Sequence, residues 1–215
     1  DHNGKPVLSG TSVTGALRQR ARRILHLIDP TPKKWQKPHP TEEGEFIRVD
    51  HEWLTSLFGD EEMRGEFHAS RLLVEETKIE EPQFDLVQNR VAIDRFTGGA
   101  LDTALFNEQP VFGRPETHLS VNIMIRQPQK RDIGLMLLLL KDLWTGDLPL
   151  GGEVSVGRGR LAGITADLTY KQADKIEEWR LIKGENGQIT VETEATTSLQ
   201  SFVDILHGKE VTHGA

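Results

Sequence analysis

The chain has 215 residues, no cysteine, 26 Lys or Arg against 33 Asp or Glu, and a formal net charge of −7. This composition excludes disulfides and thiolate metal sites and fits a reducing cytoplasm. It also excludes nucleic-acid binding driven by whole-protein charge, so any RNA or DNA site must be a local basic groove on an acidic body. The longest apolar run, Leu135 to Leu140, is far shorter than the roughly 20 residues of a membrane span, so no membrane contact is expected.

Taken in order, Asn3-Gly4 has the signature of a tight turn, Pro6 to Leu8 of a short extended piece, and Ser9 or Thr11 of a helix cap. From Ser12 to Ile28 the period is helical. Leu17, Ala21, Ile24 or Leu25, and Ile28 lie on one stripe, with Arg18 and Arg22 beside it. A helix starting after Ser9-Gly10-Thr11-Ser12 directs N–H groups and a positive dipole end at whatever lies there, although an ordinary capped amphipathic helix fits the same residues. Residues 29–49, rich in Pro, Lys, His and Glu without a period, are expected to form a surface loop or insertion. A short helix over His51 to Phe58, ended by Gly59, and a strand from Ala69 to Ile79 follow.

Residues 87–111 read as a long hairpin: Val91 and Ile93 close a strand, Thr97-Gly98-Gly99 turns it, and Ala104 to Phe106 lead back. Arg95 and Phe96 at its tip either reach toward a partner or, for Phe96, fold back onto the core. Thr117 to Arg126 alternates, with Leu119, Val121, Ile123 and Ile125 facing one way, and Lys130 to Trp144 is a leucine-rich helix suited to packing on a sheet. Ile164, Ala166, Leu168 and Tyr170 mark a further strand. Trp179 to Thr193 is a hairpin turned at Asn186-Gly187, and Leu199 to Leu206 is a last helix. This order predicts an α+β fold with an antiparallel sheet covered on one side.

The stretch Leu150 to Gly163, LGGEVSVGRGRLAG, holds five glycines, Ser155 and two arginines. Glycine admits positive φ and close backbone approach, so consecutive N–H groups can form an anion nest. Arg158 and Arg160 add planar charged forks suited to phosphate. A solvated turn between strands fits the same residues. The stretch is not a nucleotide P-loop, because no Lys-Ser or Lys-Thr follows the glycines.

Together these motifs resemble the RAMP superfamily of CRISPR-associated proteins, and within it the backbone subunits of type III RNA-guided effector complexes. GKPVLSGTSVTGALR at Gly4 to Arg18 is similar to that family's glycine-containing lead-in to its first helix. VAIDRFTGGALDTALFNEQPV at Val91 to Val111 is similar to its thumb hairpin, and LGGEVSVGRGRLAG to its glycine-rich loop. The resemblance implies one modified RRM-like, ferredoxin-like domain over residues 1–215, with helices on one face of an antiparallel sheet and a protruding thumb at 87–111. It implies a subunit for antiviral defence whose partners are CRISPR guide RNA, target RNA and other subunits or further copies of itself. Ser9, Gly10, Thr11, Ser12, Arg18 and Arg22 would line the guide-backbone groove with Gly151, Gly152, Ser155, Gly157, Arg158, Gly159 and Arg160. Ile93, Asp94, Arg95, Phe96 and Thr97 would form the thumb that pushes between bases of the guide–target duplex.

Family members that cut RNA carry an Asp in a loop after a first strand, upstream of the GKPVLSG-like segment. That strand is expected to be absent here, so no catalytic residue is assigned. RNA binding needs no cofactor. The alternative, an endoribonuclease cutting target or precursor guide RNA, would need Mg²⁺ or Mn²⁺ or positioned acid and base groups. Asp94 and Asp102 stand near each other for such a role, but acids in a hairpin are mostly turn-forming or solvated. The eight histidines show no ligand spacing, and no metal site is expected. A mononucleotide-binding α+β enzyme is a third possibility, with no catalytic groups supplied by the sequence.

Overall fold

The computed structural model describes residues 5–30, 39–40, 46–47, 51–59, 68–83, 86–184 and 186–208. In chain order the elements are β1 (Val7–Leu8), α1 (Gly10–Ile28), β2 (His39–Pro40), β3 (Phe46–Ile47), α2 (Glu52–Phe58), β4 (Leu72–Val74), β5 (Thr77–Lys78), β6 (Gln88–Ile93) and β7 (Ala100–Glu108). There follow β8 (Ile123–Ile125), α3 (Lys130–Thr145), a 3₁₀ turn at Val154–Val156, β9 (Thr165–Lys171), β10 (Ile176–Lys183), β11 (Ile189–Thr193) and α4 (Leu199–Leu206). The strand pairs with a defined register are all antiparallel, giving a mixed α+β, ferredoxin-like arrangement. The turn expected at Asn3-Gly4 lies outside the described residues. So does most of the 29–49 segment, within which β2 and β3 pair antiparallel.

The chain forms two compact units, one of Asp1–Gly10 with Val74–Asn122 and the other of Thr11–Leu73 with Ile123–Ala215. In the second, β9, β10 and β11 form a three-stranded sheet in the order β11-β10-β9. The period of two along β10 buries Glu177, Trp179 and Leu181 and exposes Ile176, Glu178 and Arg180, so one face of the sheet carries the core. Ile133 and Trp144 of α3 and Phe202 of α4 pack there against Trp179 and Leu181. Phe202 meets Tyr170 and Trp179 edge-on, each at 5.9 Å between centroids, contacts worth about 0.5–1.5 kcal/mol each beyond burial.

Helix boundaries follow local chemistry. The α3 start is fixed by the Asp132 carboxylate, which accepts from the Gln129 N–H at 2.8 Å. Its end comes at Gly146, whose φ of 77° is left-handed. The same unit holds α1, whose Val13, Leu17, Ala21 and Leu25 are buried at four-residue spacing. It also holds α2, which starts at the buried His51, whose Nδ1 accepts from the Trp53 N–H at 3.1 Å.

Two strands are shorter than the alternation predicts. The stretch Ala69 to Ile79 breaks into β4 and β5, and of Thr117 to Arg126 only Ile123–Ile125 is a strand. Alternation sets which side chains turn inward, and Leu119, Val121, Ile123 and Ile125 are indeed each half-buried. It does not supply a ladder. Between His118 and Asn122 the backbone carbonyls are met singly, Ser120 by the Thr77 hydroxyl at 2.8 Å and Asn122 by the Glu75 N–H at 3.2 Å.

Candidate nucleic-acid interface

The glycine-rich loop is closed at its neck by Leu150, whose N–H donates to the Gly159 carbonyl at 2.8 Å. A Cβ on Gly159 would stand 1.9 Å from the Leu150 oxygen, and its φ is 75°, so the neck requires glycine twice over. Gly163 is required for another reason: the chain there crosses the Trp144 indole, and a Cβ would come within 2.0 Å of the ring. Gly151 and Gly157 have φ of 90° and 87°. Gly152 has neither a positive φ nor any atom within 4 Å of where a Cβ would be. Nothing among the described residues accounts for glycine at that exposed position.

The lobe beyond the neck differs from the expected nest. The N–H groups of Val156, Gly157 and Arg158 bond to the carbonyls of Glu153 and Val154 within the 3₁₀ turn, so these three are engaged and cannot converge on an external anion. Ser155 is exposed, as are Val154 and Val156. The two arginines also differ. Arg158 is half-buried and pairs with the Glu153 carboxylate. Arg160 is exposed and makes no ion pair among the described residues.

Helix α1 begins at Gly10, directly after Ser9. A Cβ on Gly10 would meet the Val74 carbonyl at 2.1 Å, so the close backbone approach fixes this glycine. Thr11 and Ser12 are exposed, and Ser9 is half-buried. Arg18 and Arg22, four residues apart, share one side of the helix. The arginine that ties α1 to the root of the loop is Arg20, which leaves the helix about 160° from both of them. Its Nε donates to Asp142 Oδ2 at 2.6 Å, and the Asp142 carbonyl accepts from the Leu148 N–H at 2.9 Å, two residues before the neck. Lys141 also meets Asp142, at 2.7 Å. Burial alone would raise the Asp142 pKa, but the bonds and charges of Arg20 and Lys141 outweigh it and hold the carboxyl below its ordinary value of 3.8.

The stretch expected to form a thumb is the β6–β7 hairpin, in which no residue with a described side chain is fully buried. The step from Val91 to Ile93 is matched by the five-residue step from Ala100 to Leu105, so a bulge lies next to the tip. Thr103 there has a φ of 64°. The tip is an ordered Asx turn: Asp94 Oδ1 accepts from the N–H groups of Phe96 at 2.7 Å and Thr97 at 3.3 Å. Thr97 Oγ1 in turn accepts from the Gly99 N–H at 3.3 Å. Phe96 is 100% exposed, which removes the alternative of a ring folded onto the core. Ile93 and Arg95 are exposed beside it. Asp94 is thus a turn former, and the Asp102 side chain lies outside the described residues.

Arg71 was not singled out as functional from the sequence, and its surroundings give it a structural task. Its guanidinium donates to the Ser56 carbonyl at 2.8 Å, to Asp132 at 2.9 Å and to the Gln127 carbonyl at 3.0 Å. A cavity of about 480 Å³ opens beside it, lined by Glu52, Thr55, Ser56, His68 and Ala69. With its fork committed to internal acceptors, Arg71 does not equip that cavity for an anion.

These features define an α+β protein with an exposed aromatic tip and a loop carrying glycine and arginine. The sequence matches the family model of the RAMP superfamily over residues 1–162. The chain belongs to that superfamily and is a CRISPR-associated RNA-binding protein. The match ends inside the glycine-rich loop, so β9, β10, β11 and α4 lie beyond it. No curated protein matches the sequence. Among the described residues no helix is long and apolar enough to cross a membrane.

Proposed function

We propose that the chain is an RNA-binding backbone subunit of a type III CRISPR effector ribonucleoprotein, acting in antiviral defence. Ser9, Gly10, Thr11, Ser12, Arg18 and Arg22 hold phosphates of the guide RNA. The loop residues Gly151, Gly152, Ser155, Gly157, Arg158, Gly159 and Arg160 line the same groove, where the arginine side chains meet phosphates and the glycines leave room for the strand. Ile93 to Thr97 enter between bases of the guide–target duplex. Such contacts grip a strand without reading its sequence, which suits a protein that must accept any guide. The partners are guide RNA, target RNA, and other subunits or further copies of this chain.

The observation that carries this reading is the open side of the glycine-rich loop. Among the described residues nothing lies within 4 Å of a Cβ position on Gly151, Gly152 or Gly157, and Arg160, whose side chain runs past Gly146 at the foot of the loop, is exposed. A strand of polyphosphate can lie against bare backbone there and meet a cation. The test is filter binding of single-stranded RNA over a salt series with alanine at Arg18, Arg22, Arg158 and Arg160. Each lost phosphate contact weakens binding, and at Arg18, Arg22 and Arg160 its loss flattens the log–log salt slope by about 0.7. Unaltered affinity and slope in all four variants would end the reading.

A further inference from the structure

Within the loop, Glu153 alone among the non-glycine residues has a left-handed backbone, at φ 57° and ψ 35°. L side chains adopt that conformation at a cost, whereas glycine takes it freely and asparagine readily. Two glycines precede the position, yet the position itself carries a carboxylate. The Glu153 carbonyl accepts from Val156 at 3.1 Å and Arg158 at 3.4 Å, which brings residues 153 and 158 side by side. The carboxylate then pairs with Arg158 Nη1, with the two side chains 25% and 22% exposed. An arginine facing an oxyanion in a half-dry loop has the geometry it would have toward phosphate.

We propose that the Glu153 carboxylate holds, in the RNA-free protein, the place on Arg158 that an RNA phosphate takes in the complex. The inference rests on the reading of the loop as an RNA-backbone surface and names the group RNA must displace there. Binding at Arg158 is then an exchange of anions. The phosphate sheds its counterion, but the released carboxylate gathers one, so the site contributes little net counterion release. A mononucleotide brings one contact to that exchange, whereas a strand brings several. The pair therefore tilts the loop toward long polyphosphate chains.

Glu153→Gln removes the competing charge and keeps the side-chain shape. Fluorescence anisotropy of a labelled oligouridylate, measured with the full chain over a potassium chloride series, reads the result. Glu153→Gln is expected to bind about two- to fivefold tighter at low salt, the range of a partly exposed ion pair. Its log–log slope is expected to be steeper by about 0.7. The gain should vanish in the double variant with Arg158→Ala. Glu153→Asn, neutral and tolerant of the left-handed backbone, should repeat the gain and guards against misfolding of the glutamine variant. If Arg158→Ala weakens binding while both neutral variants bind no tighter and keep the wild-type slope, the pair only braces the loop and the proposal falls alone. If Arg158→Ala and Arg160→Ala both leave binding unchanged, the loop is not an RNA surface and the underlying reading falls with it.

Discussion

Arg20 Nε donates to Asp142 Oδ2 across 2.6 Å, joining the middle of α1 to the last turn of α3. Asp142 is buried, so removing Arg20 leaves its carboxylate, among the described residues, with Lys141 as its one cationic partner. Arg20→Ala is expected to lower stability by about 2 kcal/mol, the cost of a lost bond to a buried charge. It should also raise the Asp142 pKa. A depressed carboxyl stabilises the fold above its unfolded value of 3.8 and loses that contribution as pH falls through its folded value. Acid unfolding of the variant should therefore begin at higher pH. Urea midpoints at neutral pH equal to wild type would show that the bridge ties nothing.

Glu177 is the most strongly perturbed acid among those with a resolved shift. Its buried carboxylate accepts from Lys175 Nζ at 2.7 Å and from the Thr197 N–H at 3.1 Å and hydroxyl at 2.7 Å. The Lys175 bond, opposed by burial and joined by the Thr197 bonds, brings its pKa from 4.5 to about 2. The carboxylate thus stabilises the fold fully above 4.5, and this contribution fades as pH falls toward 2. Glu177→Gln should flatten the fall of the thermal midpoint across that window while costing about 1–3 kcal/mol at neutral pH. Parallel acid curves for variant and wild type would show that the carboxylate does not drive the acid limb.

Period was the legible part of this fold. The stripe Leu17, Ala21 and Leu25, the alternation Ala166, Leu168 and Tyr170, and the turn at Asn186-Gly187 each depend on neighbours in sequence and stand as expected, whereas Ile164, expected to begin the alternation, lies before β9 and is exposed. What depends on a distant partner was not legible. The alternation of Thr117 to Arg126 shows its faces but not that most of it has no ladder to join. The site behaves likewise. The sequence displays its arginines, but the acids that Arg20 and Arg158 meet follow from where Asp142 and Glu153 come to lie.

Two glycines of the loop should separate folding from binding. Gly159→Ala meets both a strained φ and the Leu150 carbonyl. It should cost about 1–3 kcal/mol or open the neck, seen as a lower thermal midpoint. Gly152→Ala meets no atom of the described residues within 4 Å, so its stability should stay within about 0.5 kcal/mol of wild type. If RNA backbone lies against that position, the added methyl must nonetheless weaken RNA binding. Wild-type affinity in Gly152→Ala would move the strand away from this part of the loop.

Phe96 stands wholly exposed on a turn braced by Asp94. An aromatic side chain in water on a rigid tip contributes little to the fold, so Phe96→Ala should shift stability by less than about 0.5 kcal/mol. Stacking on a base is worth about 1–3 kcal/mol, so the same change should lower affinity for an RNA duplex about tenfold. A duplex carrying 2-aminopurine distinguishes insertion from mere contact, because its fluorescence rises when the base leaves the stack. The wild-type protein should raise that signal, and Phe96→Ala should not. Asp94→Ala removes the bonds that order the turn while leaving the ring in place, and should give a partial signal. If wild type and Phe96→Ala raise the fluorescence equally, the ring does not part the bases, and the hairpin's exposed apolar side chains must serve another contact.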